Sequence, residues 1–317
     1  TVLLSRSVIE SESGMSSGNA SARLFERRQH DVQSGPMSAT DVAHADGDGR
    51  WWKRIVVCGD DFGMSADIDA GVMRLARLAR LSAVSCLSQG AMFAAHGPDL
   101  QAFDLDLGVH LNLTQDLGGV GQMPVMSLSM LIARAYAGRL DDEWLDAQLT
   151  HQFDAFEDVM GRAPDYVDGH QHVHQLPGVL PRLLRLLKQR YGADGPWLRH
   201  TAPGMQDGIP LRESARARLV GALGASAVAR VADREGWRTN RRLFGVYDQQ
   251  GGARRYARLL QRWLNNARDG DLILCHPALS GGCDALASQR VAEFEVLARP
   301  EFGDWLRGNG VCIARPC

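Results

Sequence analysis

Read as a string of apolar and polar positions, the chain changes character near residue 51. Before it, apolar periodicity is absent after Ile9, and Ser, Gly, Asp, Ala and Arg dominate, as in Ser11-Glu12-Ser13-Gly14 and Asp46-Gly47-Asp48-Gly49. Residues 1–50 are therefore expected to form a disordered or weakly ordered leader, and 51–317 a single domain. From Trp51 onward short apolar runs alternate with amphipathic stretches. Arg54-Ile55-Val56-Val57-Cys58 is β-branched and reads as a buried strand stopping at Gly59. A helix is expected over about 67–80, with Ile68, Val72, Leu75 and Leu78 on one stripe. Strands follow at 83–87 and at 105–113, where Leu105, Leu107, Val109, Leu111 and Leu113 alternate with polar residues or glycine. The stripe Leu145, Leu149, Phe153, Phe156, Met160 predicts a helix over 142–160, with Gly161 suited to its C-terminal cap. Further helices are expected over 177–191, 215–231, 253–265 and 288–298, and further strands at 166–168, 197–199, 272–275 and 311–313.

Alternation of this kind predicts a parallel sheet covered by helices. Seven or eight strands in the space available favour a closed (β/α) barrel, with an open doubly wound sheet as the alternative. Composition narrows the partners. The chain has 317 residues and a formal net charge of -2, which gives no electrostatic reason to bind nucleic acid or an anionic membrane. It has no uninterrupted apolar run of ~18 residues, so no membrane span is expected, and the N-terminus lacks a basic-then-apolar export pattern. The cysteines Cys58, Cys86, Cys275, Cys283, Cys312 and Cys317 form no C-x-x-C pair, and four lie in strand-like runs. They are expected to be free thiols in a reducing cytoplasm.

The chemistry-bearing residues fall where parallel sheets build their sites, at the C-terminal ends of strands. The first strand ends in Asp60-Asp61, the third near His110, the fourth in Asp168-Gly169-His170-Gln171-His172-Val173-His174, and a late one in His276-Pro277. Adjacent carboxylates repel, so one calls for a cation while the other can stay as a base; by itself the pair could equally be a strand end capping the next helix. His170, His172 and His174 are spaced by two and would share one face of an extended segment. Three imidazoles there favour metal ligation or substrate binding over packing, because each ring nitrogen needs a partner. A lone His110 reads more simply as a hydrogen-bonded core residue, and His276 is an acid/base candidate. Jointly, one carboxylate and two imidazoles would leave open positions on a divalent metal, as hydrolysis needs.

The stretches Ile55-Val56-Val57-Cys58-Gly59-Asp60-Asp61-Phe62-Gly63-Met64-Ser65, Leu107-Gly108-Val109-His110-Leu111-Asn112-Leu113-Thr114, Val167-Asp168-Gly169-His170-Gln171-His172-Val173-His174 and Cys275-His276-Pro277 resemble the YdjC-like (ChbG/HpnK) carbohydrate deacetylases. The resemblance implies a distorted (β/α) barrel and removal of acetyl groups from an N-acetylated sugar or glycoconjugate. It carries one divalent metal, magnesium or zinc, onto Asp61, His110 and His170. It implies Asp60 as catalytic base and His276 as acid. His172 and His174 would shape the site, and Asn112 and Arg199 join them as substrate-contacting or orienting residues. Two departures sit beside the site: Cys58-Gly59 where Asn-Ala is common, and Ala278 where Gly is common. Residues 201–250 match no motif, and substrate contacts are expected there. A homodimer is compatible with all of this. Two other classes stay open, a metal-dependent phosphoesterase on a similar barrel and a catalytically silent sugar-binding protein.

Overall fold

The computed structural model describes residues 52–119, 121–281 and 286–316. The expected leader, and the thiols of Cys283 and Cys317, lie outside them. The chain alternates strand and helix: β1 (Lys53–Phe62), α1 (Ala66–Arg77), β2 (Ala83–Cys86), α2 (Phe93–His96), β3 (Asp106–Leu111), α3 (Leu128–Tyr136), α4 (Asp142–Met160), β4 (Tyr166–Gly169), α5 (Val179–Tyr191), β5 (Trp197–Leu198), α6 (Leu211–Ala222), α7 (Ala225–Glu235), β6 (Leu243–Phe244), α8 (Gly252–Asn266), β7 (Leu272–Cys275), α9 (Ala287–Ala298), α10 (Pro300–Gly308) and β8 (Val311–Ile313). Among the described residues the sheet runs β5-β4-β3-β2-β1-β7-β6, with β8 pairing the start of β1, and every pairing is parallel. The outer strands β5 and β6 are joined by no ladder. Isolated bridges, Leu198 with Thr239 and Pro203 with Leu243, span that side instead. This is the distorted barrel that the sequence led us to expect.

Period-two alternation sorts the strand residues into two cores. Ile55, Val57, Val84, Leu107, Val109, Val167, Leu198 and Ile273 pack outward against the helices. Val56, Cys58, Ala83, Tyr166, Trp197, Leu243, Leu272 and Leu274 fill the inside. Tyr166 and Trp197 stack there with ring centroids 4.2 Å apart. Gly108 makes room for them, since a Cβ at that position would lie 2.5 Å from the Tyr166 ring. Two residues further along each strand, the same inner face carries Asp60, His110, Asp168, Arg199 and His276.

Several elements depart from the sequence reading. β1 does not stop at Gly59 but pairs on to Phe62 through a register irregularity. The helix expected over 215–231 is two helices, α6 and α7. They break at Gly224, whose φ of +156° no other residue adopts readily, and a Cβ there would meet the Gln175 carbonyl at 2.1 Å. The strand candidate 105–113 alternates as expected, yet both its faces are buried because helices cover one side and the barrel interior the other. Cys58, Cys86, Cys275 and Cys312 are free thiols. No helix among the described residues is long and apolar enough to cross a membrane.

Candidate metal centre and active site

At the C-terminal rim of the strands a cavity of about 280 Å³ is lined by Asp60, Asp61, His110, His170, His172 and His276, among others. A larger surface depression of about 690 Å³, bordered by Lys188, Glu235 and Trp237, shares no residue with it and carries no such cluster.

Strict alternation would send Asp61 outward, away from Asp60. The irregularity in β1 prevents this: Asp61 takes a left-handed φ of +69°, a conformation Asp tolerates better than most residues, and both carboxylates end at the cavity. The turn behind them is tied down by Asp69, which accepts the Gly63 amide at 2.6 Å and holds His96 at 2.7 Å.

Asp61 Oδ1 lies 3.0 Å from His170 Nδ1 and 3.4 Å from His110 Nε2, while Arg290 donates to its other oxygen at 2.7 Å. One atom from each of Asp61, His110 and His170 falls within 4.8 Å of the others, so the three could hold one ion. The far nitrogen of each imidazole supports that reading. His110 Nδ1 is 2.7 Å from Asp168 Oδ1, its direct partner across β3 and β4, and His170 Nε2 is 2.9 Å from Gln115 Oε1. Both acceptors would keep the proton of a neutral ring on its outer nitrogen and leave the inner nitrogen for a metal, the arrangement that metal-binding histidines need. Burial alone would lower the His110 pKa, but the carboxylates of Asp168, Asp61 and Asp60 outweigh it and push the value up to about 10. The carboxylates that favour a proton on this ring would equally favour a metal cation, which has to displace that proton to bind.

A second group, Asp60, His110 and Asp168, has similar spacing but different chemistry. The fully buried Arg199 donates to both oxygens of Asp60 at 2.7 Å each and pairs with Asp168 Oδ2 at 2.7 Å. Burial would raise both carboxyl pKa values; the guanidinium more than reverses this and lowers them. Ser85 bonds Asp168 at 2.8 Å and sits 2.7 Å from the Tyr166 hydroxyl, and Cys58 Sγ lies 3.0 Å from Arg199 Nη2. A cation placed here would face a guanidinium already neutralising the same oxygens.

The sequence profile of the family described as YdjC-like protein matches residues 54–308. The chain belongs to the YdjC-like family. A carbohydrate deacetylase from Mus musculus is 27% identical over 81% of this chain and 92% of its own length. A chitooligosaccharide deacetylase from Yersinia enterocolitica is 30% identical over 41% of this chain and 53% of its own length. A crystal structure from Enterococcus faecalis, provisionally described as a cellobiose-phosphate cleavage protein, superposes with a TM-score of 0.59 at 19% identity, covering 83% of this chain and 97% of that one, and shares the fold.

In this YdjC-like chain the expected site residues separate into two groups. Asp60, Asp61, His110, His170, His172 and His276 share the cavity wall. His174, Asn112 and Arg199 stand behind it. The run from His170 to His174 is not extended as the spacing suggested. The strand ends at Gly169, and Gln171 and His172 take left-handed φ values of +53° and +60°, so the three rings do not share a face. His174 turns inward and donates to the Arg199 carbonyl at 2.9 Å. Burial, above all, lowers His172 to about 3 and His174 to about 4, which keeps both neutral near pH 7. Asn112 accepts the Thr114 and Gln115 amides at 3.1 and 3.0 Å and so shapes the loop that presents Gln115 to His170. Sequence reasoning assigned no role to Asp168, Gln115, Gln249, Arg290 or Glu293. Asp168 was readable from the alternation of β4. Arg290 and Glu293 were readable as charges on the apolar stripe of α9, whose other buried members include Ala287, Val296 and Leu297.

Proposed function

We propose that the protein is a metal-dependent carbohydrate deacetylase that hydrolyses the acetamide of an N-acetylated sugar. The observation that carries this reading is the division between two adjacent carboxylates on one cavity wall: Asp61 beside two inward-turned imidazoles, Asp60 held by Arg199. The names of the family's relatives supply the substrate class. Asp61, His110 and His170 hold one divalent ion, zinc or magnesium; two nitrogen donors suit zinc better. When bound, such an ion would supply Lewis acidity for the acetamide carbonyl and for the attacking water. Asp60 is the base. Arg199 keeps it ionised and fixes its direction, and it takes the proton of the attacking water. His276, across the same cavity, gives a proton to the leaving amine. His172 is neutral and presents a hydrogen-bonding ring to the sugar. Tyr247 also lines the cavity, and its hydroxyl donates to Glu293 at 2.5 Å. The free thiols Cys58, Cys86 and Cys275 fit a reducing compartment, the cytoplasm.

The test is acetate release across a panel of N-acetylated sugars, with protein stripped by chelator and reconstituted with zinc or magnesium. Acetate appears only in reconstituted samples and with a defined subset of sugars. Metal-replete protein that frees no acetate from any of them, or that instead frees phosphate from a generic ester, sinks the proposal.

A further inference from the structure

Region 201–250 carries no motif, yet it delivers a side chain to the cavity beside His276. Gln249 Nε2 lies 3.1 Å from His276 Nδ1. A carboxamide nitrogen only donates, so Nδ1 is the acceptor and the ring proton sits on Nε2. Nε2 has no protein partner among the described residues and is the nitrogen left to meet substrate. We propose that Gln249 is the positioning residue of His276, holding the imidazole with Nε2 toward the cavity in both protonation states of the ring. The acid form carries both protons: the same side chain, turned by half a rotation, then offers Oε1 to Nδ1–H and keeps accepting it after Nε2–H has gone to the leaving amine, until exchange with solvent returns the ring to the resting Nε2–H form. A carboxylate could only accept and an amine only donate, whereas a carboxamide serves a ring that gains and loses a proton each turnover.

The backbone around Gln249 is built for this. Gln249 has a φ of +53°, a left-handed conformation that costs a non-glycine residue about 1 kcal/mol and persists only where the surroundings impose it. The surroundings do impose it. Glu293 accepts the Tyr247 hydroxyl at 2.5 Å with one oxygen and the His276 amide at 2.7 Å with the other, so one buried carboxylate fixes both the loop bearing Gln249 and the strand end bearing His276. Gln289 donates to the Tyr247 hydroxyl at 2.9 Å and accepts the Gly252 amide at 2.8 Å. Arg255 clamps Asp248 and the Gln250 carbonyl on one side and Glu213 on the other. Asp60 from β1 and Glu293 from α9 interact with His276 electrostatically, and Asp61, His110, His170, His172 and Arg290 line the same cavity.

This inference rests on the acid role given to His276, and the experiment separates the two. Full-length protein labelled with 15N-histidine and reconstituted with zinc is read by long-range 1H–15N spectra, alongside acetate-release kinetics. The wild type shows neutral His276 as the Nε2–H tautomer. Gln249→Leu gives a mixture of tautomers, and kcat falls about 10- to 100-fold while KM and zinc affinity stay unchanged. Gln249→Glu, which can only accept, favours the doubly protonated ring and moves the basic limb of the kcat profile to higher pH. An Nδ1–H tautomer in the wild type, or unchanged tautomer and kcat in Gln249→Leu, overturns the proposal. A tautomer change without any loss of acetate release keeps the pairing and removes His276 from the reaction.

Discussion

Asp60 and Asp61 are neighbours in the chain and equally buried, yet their surroundings have opposite chemistry. Asp60 is charge-matched: a fork-shaped guanidinium donates to each of its oxygens, leaving each a further lone pair, and reaches Asp168 as well. Asp61 is left partly open, with one oxygen on Arg290 and the other facing two imidazole nitrogens. The difference comes from one irregular backbone step in β1 that turns Asp61 to the same cavity as Asp60 but against different walls. A carboxylate whose charge is already matched can serve as an oriented base. One that faces two imidazole nitrogens with an oxygen to spare has the geometry of a metal ligand.

The largest effects should come from exchanging each carboxylate for its amide. Asp60→Asn should lower kcat by about 10³–10⁴-fold while metal still binds, as read by calorimetric titration of stripped protein. Arg199 keeps Asp168 as a partner in that variant, so the fold survives. Asp61→Asn should instead lose the metal. Equal loss of metal in both variants would erase the distinction between the two residues.

Next in size is the Arg199 cluster. Arg199→Met leaves Asp60 and Asp168 buried without their cation, which should cost about 3–5 kcal/mol in urea denaturation. Arg199→Lys should rescue little, since an ammonium cannot fork across two carboxylates. A loss under ~1 kcal/mol would mean that the cluster is not what holds the strand ends together.

Much of this was legible in sequence, and the limits have physical causes. The alternation of strands and helices and the cluster at the rim follow from periodicity, because a parallel sheet puts every strand end on one side. Asp60, His110 and His276 could be read from alternation alone. Asp61 could not, since its direction depends on a bulge that leaves no mark in the hydrophobic pattern. The run His170-Gln171-His172-Val173-His174 looked extended because its spacing is even, but two left-handed residues fold it into a turn. Arg290 and Glu293 mark themselves in the sequence only as charges on the apolar stripe of α9; that they and Gln249 meet at this site follows from the tertiary arrangement alone.

His174 supports Arg199 from below, and its neutrality has a consequence for pH. Its pKa is about 4 in the folded chain against 6.5 unperturbed. Between those values the unfolded chain takes up a proton that the folded chain refuses, so stability falls as pH drops from 6.5 toward 4 and levels off below. The contribution is on the order of 3 kcal/mol. His174→Gln keeps a donor for the Arg199 carbonyl without the titration. Its stability should therefore decline less steeply across that window, and identical slopes for the two proteins would show that His174 titrates normally.

The smallest expected effect tests the open side of the comparison without touching any ligand. Gln115 meets His170 only through the ring nitrogen that faces away from Asp61. If that contact fixes which nitrogen carries the proton, Gln115→Leu should weaken metal affinity about 10- to 100-fold and leave kcat at saturating metal almost unchanged. Gln115→Glu, a stronger acceptor, should hold the same tautomer and keep affinity at or above the wild-type level. The exposed position of Gln115 makes a folding defect a poor explanation for either result. Affinity unchanged in Gln115→Leu would mean that His170 is oriented by Asp61 and the backbone turn alone, and the open carboxylate would then be organising its own imidazole.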